Sequence, residues 1–222
     1  GPTITGPNAN NQYTFTMPTK DVKITVDAKP EQYTVTLNKQ SGTGGPSSVT
    51  ATYLAAMPTI TPPTRTGYTF GGYYTATNGG GTQYYKEDGT SAKTWTETSV
   101  TTLYAKWTVT NYTIKYNLNG GTNHASNPAN YTIETENITL QAPTKTGHTF
   151  IGWFDNEELT GKAVTQITKG STGNKTYWAK WEVASYTVTF DAEGGNGGTS
   201  TLTVQYEAQL PNITIPPKDG HL

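Results

Sequence analysis

The chain contains no cysteine, carries few charges and has no long apolar run. The absence of cysteine excludes disulfides, thiol nucleophiles and thiolate metal sites. Only 14% of the residues are charged and the net charge is -1, so no basic surface would attract nucleic acid or an anionic membrane. No apolar stretch approaches the roughly 18 residues of a membrane-spanning helix. We therefore expect no cofactor, no nucleic-acid partner and no membrane insertion by this segment.

The abundant residue types favour β-structure. The 222 residues include 46 threonines and 15 tyrosines, which suit strands, and 24 glycines and 13 prolines, which suit turns. We predict a mostly β or α+β protein. The best place for a short helix is residues 159–168, although Gly161 weakens that prediction.

Three sequence blocks recur in a fixed order along the chain. The opening block reads YTVTL from Tyr33, YTIKY from Tyr112 and YTVTF from Tyr186. The middle block is PTRTGYTFGGYY from Pro63 and PTKTGHTFIGWF from Pro143, and the closing block is LYAKW at 103–107 and YWAKW at 177–181. Apolar and polar residues alternate within the opening and closing blocks, which indicates half-buried strands.

The repetition divides the chain into four segments. They are a tail of a preceding repeat (1–32), module one (33–110), module two (111–184) and the first part of a third repeat (185–222). The linkers between modules are only a few residues long. We therefore expect the modules to form a semi-rigid, elongated array.

These blocks together resemble the internalin B-repeat family, also called the Listeria-Bacteroides repeat. Module two carries nearly the whole family pattern, whereas module one has Tyr73 where the family usually has tryptophan. The tail resembles the end of a divergent member of the same family. The resemblance implies small β-grasp, ubiquitin-like modules of the kind found in tandem on secreted and surface-anchored bacterial proteins, adhesins above all. It implies neither catalytic residues nor a shared ligand.

The polar residues offer no catalytic or metal site. His124, His148 and His221 are scattered, without a second ligand at metal-binding spacing. The carboxylate pairs at 87–88 and 157–158 are adjacent in sequence, so within a strand their side chains would point to opposite faces. We predict that the chain is not an enzyme.

The aromatic residues fall into two groups. Four recur singly on apolar faces, and we predict that they build the cores: Phe70, Trp107, Phe150 and Trp181. Truncating Trp181 to alanine should then cost about 3–5 kcal/mol. The others form the adjacent pairs Tyr73–Tyr74 and Trp153–Phe154, in which one member should face away from the core. That outward ring could bind a ligand or pack against the next module.

Two functions remain open. The first is a non-catalytic stalk or spacer of an extracellular bacterial surface protein, with adhesive contacts to a host or matrix protein or a glycan. The alternative is a carbohydrate- or host-receptor-binding module that uses the outward aromatics. The partial third repeat offers strands at 186–190 and 201–206 without a completed core, so we expect strand exchange between its edge and the tail of another copy.

Overall fold

The computed structural model describes residues 3–10, 12–25 and 29–217. These residues form fifteen β-strands and one 3₁₀ turn, Thr77–Gly79, and contain no α-helix. The prediction of a mostly β protein is confirmed. The prediction of a short helix at 159–168 is wrong, because this segment forms turns and the short strand Gln166–Ile167.

Module one is a single five-stranded mixed sheet. Its strands are β3 (Gln32–Asn38), β4 (Ser48–Thr52), β5 (Tyr68–Tyr74), β6 (Gln83–Tyr85) and β7 (Thr102–Val109). They lie in the order β4-β3-β7-β5-β6. The first strand, β3, and the last, β7, pair in parallel at the centre of the sheet, and antiparallel strands flank them on both sides. Prolines and glycines keep the segments between the strands irregular.

Module two repeats this arrangement with shorter edge strands. Its main sheet has the order β11-β13-β8-β9, built from β8 (Tyr112–Asn117), β9 (Asn130–Tyr131), β11 (His148–Phe154) and β13 (Lys175–Val183). The first and last strands, β8 and β13, are again parallel neighbours. A separate two-stranded sheet joins β10 (Ile138–Thr139) to β12 (Gln166–Ile167).

Each module has its own hydrophobic core. The core of module one centres on Val35, Leu103 and Trp95, which are fully buried. The core of module two centres on Trp153 and Ala179. No buried residue belongs to both clusters, so each sheet is stabilised mainly from within its own repeat.

Two small hairpins flank the modules. In the tail, β1 (Ile4–Thr5) pairs with β2 (Thr14–Phe15), and residues 21–25 form no strand. In the partial third repeat, β14 (Ser185–Thr189) pairs with β15 (Thr201–Gln205). Residues 214–217 fold back onto this hairpin, as the Thr199 N–H donates to the Thr214 carbonyl. The strand exchange between copies stays a prediction.

Candidate functional site

The aromatic pair of module two lies in the interior. Trp153 is 1% exposed and Phe154 is 5% exposed. A β-bulge between Phe150 and Gly152 inserts an extra residue, so that Phe150 and Trp153 point to the same side and their rings meet at 5.4 Å. Phe154 points to the other side, where the Lys180 ammonium lies 5.3 Å from its ring and donates to the Leu159 carbonyl. Neither ring is accessible to a ligand, contrary to the expectation for an adjacent pair.

The pair of module one follows the same arrangement with one ring partly open. Tyr73 is 1% exposed and packs edge-on against Phe70. Tyr74 is half-buried, with Lys106 5.8 Å from its ring and its hydroxyl donating to the Gly71 carbonyl. Tyr74 is thus the one predicted binding residue of the four that reaches solvent.

Three of the four singly recurring aromatics lie at the edge of a core rather than at its centre. Phe70 is buried, whereas Phe150, Trp107 and Trp181 are half-buried and pack against the clusters. Both tryptophans also hold a glycine-rich turn, since Trp107 Nε1 donates to the Lys39 carbonyl and Trp181 Nε1 to the Leu118 carbonyl, each at 2.8 Å. These residues therefore link the turn after the opening strand to the closing strand.

The most buried tryptophan of module one, Trp95, was not singled out by the sequence. It is fully buried, and its ring packs against that of Tyr84 at a tilt of 51°, with ring centroids 4.7 Å apart. Trp95 lies outside every recurring block, so comparison of the repeats gave no signal for it. Its burial beside other rings would have been visible only from the fold.

Several core tyrosines titrate well above their ordinary range. Burial raises the pKa of Tyr73, Tyr85, Tyr116 and Tyr177 to about 12, because the interior disfavours the phenolate. A phenol held neutral and enclosed in this way serves packing and hydrogen bonding rather than proton transfer at neutral pH.

The other polar side chains that the structure describes make mainly local contacts. His124 Nδ1 accepts a hydrogen bond from the Ser126 N–H, His148 packs against Tyr206, and His221 falls outside the described residues. Asp88 accepts hydrogen bonds from the backbone and hydroxyl of Thr90, and these bonds lower the pKa of its carboxyl. Within residues 3–10, 12–25 and 29–217, no group of three or more histidine, aspartate and glutamate side chains could hold a metal ion. The same ranges contain no helix that is long and apolar enough to cross a membrane.

Consecutive repeats meet at a contact that occurs twice, here called the module joint. In the first joint, the turn at Gly67–Tyr68 of module one contacts Ile133–Glu134, which lie in the turn just after β9 of module two. Gly67 has φ +76°, and a Cβ at this position would lie 2.7 Å from the Ile133 side chain. The Tyr68 hydroxyl donates to Glu134 Oε1 at 2.5 Å, which raises the pKa of the tyrosine, and the Arg65 guanidinium stacks 3.7 Å above the ring.

The second joint repeats the first with different side chains. Gly147 has φ +66°, and a Cβ at this position would overlap the ring of Tyr206 in the third repeat. The neighbouring His148 meets the same ring edge-on at 6.4 Å. In both joints the linker is held to the glycine, since the N–H groups of Thr110 and Ala184 donate to the Gly67 and Gly147 carbonyls, each at 2.9 Å.

A groove of about 450 Å³ opens beside the first joint. Its walls combine the half-buried Trp107 with amide, hydroxyl and charged side chains of both modules: Asn38, Gln40, Ser41, Arg65, Tyr68, Asn78 and Glu134. An aromatic ring beside planar amides can stack on and hydrogen-bond a polar ligand. The groove is therefore a candidate ligand site beside the first joint.

Comparison with known proteins identifies the repeats. Three tandem segments, residues 33–106, 112–180 and 186–222, match the Listeria-Bacteroides repeat domain. No solved structure matches the chain.

The similar proteins are bacterial and much longer. A "Putative membrane protein" of Evansella cellulosilytica is 31% identical over 195 residues, which cover 85% of this chain and 27% of the relative. Internalin H of Listeria monocytogenes is 31% identical over 145 residues, which cover 62% of this chain and 23% of the relative. The chain thus spans about a quarter of the length of these relatives. The three matched segments make up most of its residues, and the chain belongs to the Listeria-Bacteroides repeat family.

Proposed function

We propose that this chain is a non-catalytic stalk or spacer of a bacterial surface protein, built from tandem β-grasp-like modules. The observation that carries the proposal is the parallel pairing of the first and last strands in each module. Because these two strands run in the same direction, the chain enters a module at one end and leaves it at the other. An antiparallel pair would return the chain to the end where it entered.

The strand register gives the expected length of each unit. In module one, Leu37 lies beside Leu103, four residues after the first tyrosine and six residues before the end of β7 at Val109. At about 3.3 Å per residue, the chain advances about 33 Å. In module two, Ile114 lies beside Lys175, two residues after Tyr112 and eight before Val183, which gives the same advance.

The two module joints support stiffness in addition to length. Each joint closes a glycine turn against the next repeat and ties the linker to the same glycine. A repeat that contacts only its neighbours forms an extended array in which length grows with copy number.

Surface location rests on the family and its named relatives. Two similar proteins of Evansella cellulosilytica are named as membrane proteins, and a third similar protein is Internalin H of Listeria monocytogenes. We place the chain outside the bacterial cell. Because the chain has no cysteine, its stability depends on no disulfide and on no particular redox environment.

Small-angle X-ray scattering tests the stalk function. A chain in which residues 33–111 are duplicated in tandem should have a maximum dimension about 33 Å greater than that of the parent chain. A matched chain carrying a flexible Gly/Ser segment of equal residue number in place of the duplicate controls for mass. A particle that becomes thicker without becoming longer would contradict the stalk.

Carbohydrate binding is a second candidate function, supported by the groove beside the first joint. Gln40 and Asn78 line it with side-chain amides next to the Trp107 ring. A glycan array with the whole chain should then give hits that weaken on Gln40→Ala and remain on Gln209→Ala, a control distant in sequence. An array without hits would exclude this function for the glycans displayed.

A further inference from the structure

We propose that Tyr53 and Leu54, which directly follow strand β4 of module one, form a docking surface for the Gly-Tyr or Gly-His turn of another Listeria-Bacteroides repeat. The proposal rests on the stalk function and extends it, because it assigns the surface by which a further repeat attaches to module one.

Strand register places Tyr53 at the position that both observed joints use. In each repeat the first strand pairs with the strand that follows it in sequence, here called the return strand (β4, β9 and β15). The first tyrosine of each repeat lies opposite a residue of that strand: Tyr33 opposite Ala51, Tyr112 opposite Tyr131 and Tyr186 opposite Val204. Two residues further along lie Tyr53, Ile133 and Tyr206. The last two receive Gly67 and Gly147 of the preceding module.

The three positions differ in exposure as the proposal requires. Ile133 and Tyr206, which receive a turn, are half-buried. Tyr53 is 37% exposed and the adjacent Leu54 is 65% exposed. A tyrosine and a leucine side by side therefore form an apolar patch that the described tail does not cover.

The backbone at this surface already has the conformation seen in the second joint. The Tyr53 N–H donates to the Glu31 carbonyl at 2.9 Å, and the Tyr206 N–H donates to the Ala184 carbonyl at 2.8 Å. The residue that follows has φ +58° in both places, at Leu54 and at Glu207. A docking surface that needs no rearrangement saves the ordering cost of binding.

The incoming segment must be a turn with glycine at the contact. Gly67 and Gly147 both combine a left-handed φ with a separation that leaves no room for a Cβ. The ring that follows then lies beside the receiving residue, as His148 does beside Tyr206. At module one Leu54 takes the place of Glu134, so the receiving pair is apolar. We therefore expect the tyrosine or histidine ring of the incoming turn to pack against the Tyr53 ring and the Leu54 side chain.

The duplicated chain described above, with residues 1–111 followed by 33–222, tests the proposal directly. It contains Tyr53 twice, once behind the tail and once behind a complete module with its own Gly67–Tyr68 turn. Hydroxyl-radical footprinting needs no substitution in this chain. Because only the second copy of Tyr53 should be covered, the extent of modification of the Tyr53 peptide, averaged per copy, should be about half of that found in the parent chain. An extent per copy equal to that of the parent would overturn the proposal.

A thiol version locates the protection, since the chain has no cysteine. Leu54→Cys in the second copy should react with a thiol reagent at least about tenfold more slowly than Leu54→Cys in the first. Tyr68→Ala in the first copy should restore fast reaction, whereas Thr66→Ala at an exposed neighbouring position should not. Equal rates at both cysteines, in chains whose thermal unfolding matches that of the unaltered duplicate, would contradict docking. The scattering result is independent, because a chain could lengthen by 33 Å without protecting Tyr53.

Discussion

At the residue scale, two buried tyrosines of module one differ in one hydrogen bond. Tyr73 and Tyr85 are 1% and 0% exposed, and their rings meet edge-on at 6.0 Å. The Tyr85 hydroxyl donates to the Pro58 carbonyl at 2.9 Å, whereas the Tyr73 hydroxyl is buried with no hydrogen-bond partner among the described residues. Burial of an unpaired hydroxyl costs free energy that a phenylalanine would not lose.

Tyr73→Phe should therefore increase the free energy of unfolding of module one by about 1 kcal/mol. Tyr85→Phe, which removes the same atom but breaks a hydrogen bond, should decrease it by about 1 kcal/mol. Urea unfolding followed by tryptophan fluorescence measures both. Equal changes in the two variants would show that the hydroxyl of Tyr73 is satisfied in solution.

The raised tyrosine pKa values predict the response to alkaline pH. Tyr73, Tyr85, Tyr116 and Tyr177 have pKa values of about 12 when folded, against an ordinary value near 10. A raised folded pKa favours the folded state while the phenol is neutral, so this contribution is complete below pH 10 and is lost as the pH rises to 12.

We expect unfolding in that interval, with the last tyrosines ionising together with the loss of structure. Absorbance at 295 nm reports the tyrosinate, and circular dichroism reports the sheet. If these four tyrosines ionise near pH 10 while the sheet remains intact, their hydroxyls are not buried in solution and the prediction is wrong.

The burial of aromatic side chains could be predicted better for residues that recur in both modules than for residues that occur in one module only. The recurrence of Phe70 and Phe150 pointed to packing positions because repeats share a fold. It could not show that a β-bulge turns Trp153 inward and leaves Phe154 beneath Lys180, because the bulge depends on how β11 pairs with β13. Trp95 had no counterpart in the repeated blocks, so its full burial became visible only in three dimensions.

At the element scale, the two cores share no buried residue, which predicts independent unfolding. Trp153→Ala removes a side chain that is 1% exposed and whose Nε1 donates to the Gln141 carbonyl at 3.0 Å. This change should lower the free energy of unfolding of module two by about 3–5 kcal/mol. Trp181→Ala should cost less than the sequence suggested, since that ring is half-buried.

Calorimetry of the whole chain separates the two modules. Trp153→Ala should shift only one transition, and Trp95→Ala, the matched change in module one, should shift the other. A single transition that moves as one in both variants would mean that the joints couple the modules into one folding unit.

The strand pattern was predictable because apolar and polar residues alternate strictly in the opening and closing blocks. The strand that follows the opening block of module two is short, since Tyr131 pairs but residues 132–135 form a turn in which the Thr135 hydroxyl accepts from the Thr132 N–H. The helix expected at 159–168 was overridden by pairing, because the Leu140 N–H donates to the Thr165 carbonyl. Such non-local pairing has no signal in local propensity.

At the scale of the whole molecule, the linker length and the module joint act together. Thr110 and Asn111 are the only residues between β7 and β8, and the Thr110 N–H donates a hydrogen bond to the Gly67 carbonyl. This short connection keeps Ile133 within reach of Gly67. Lengthening the linker should release the contact without disturbing either core.

Insertion of Gly-Ser-Gly between Thr110 and Asn111 adds up to about 10 Å of chain. We expect the rotational correlation times of the two modules, measured by ¹⁵N relaxation, to fall and to become unequal, because each module then tumbles partly on its own. The same insertion between Gly161 and Lys162, in an exposed loop where a Cβ at Gly161 would meet nothing within 4 Å, should leave both values unchanged. Unchanged correlation times in the linker variant would show that the joint forms without help from the short linker. Unequal times already present in the parent chain would show that the joint does not restrain the modules, and the array would then be a flexible chain of repeats rather than a stiff stalk.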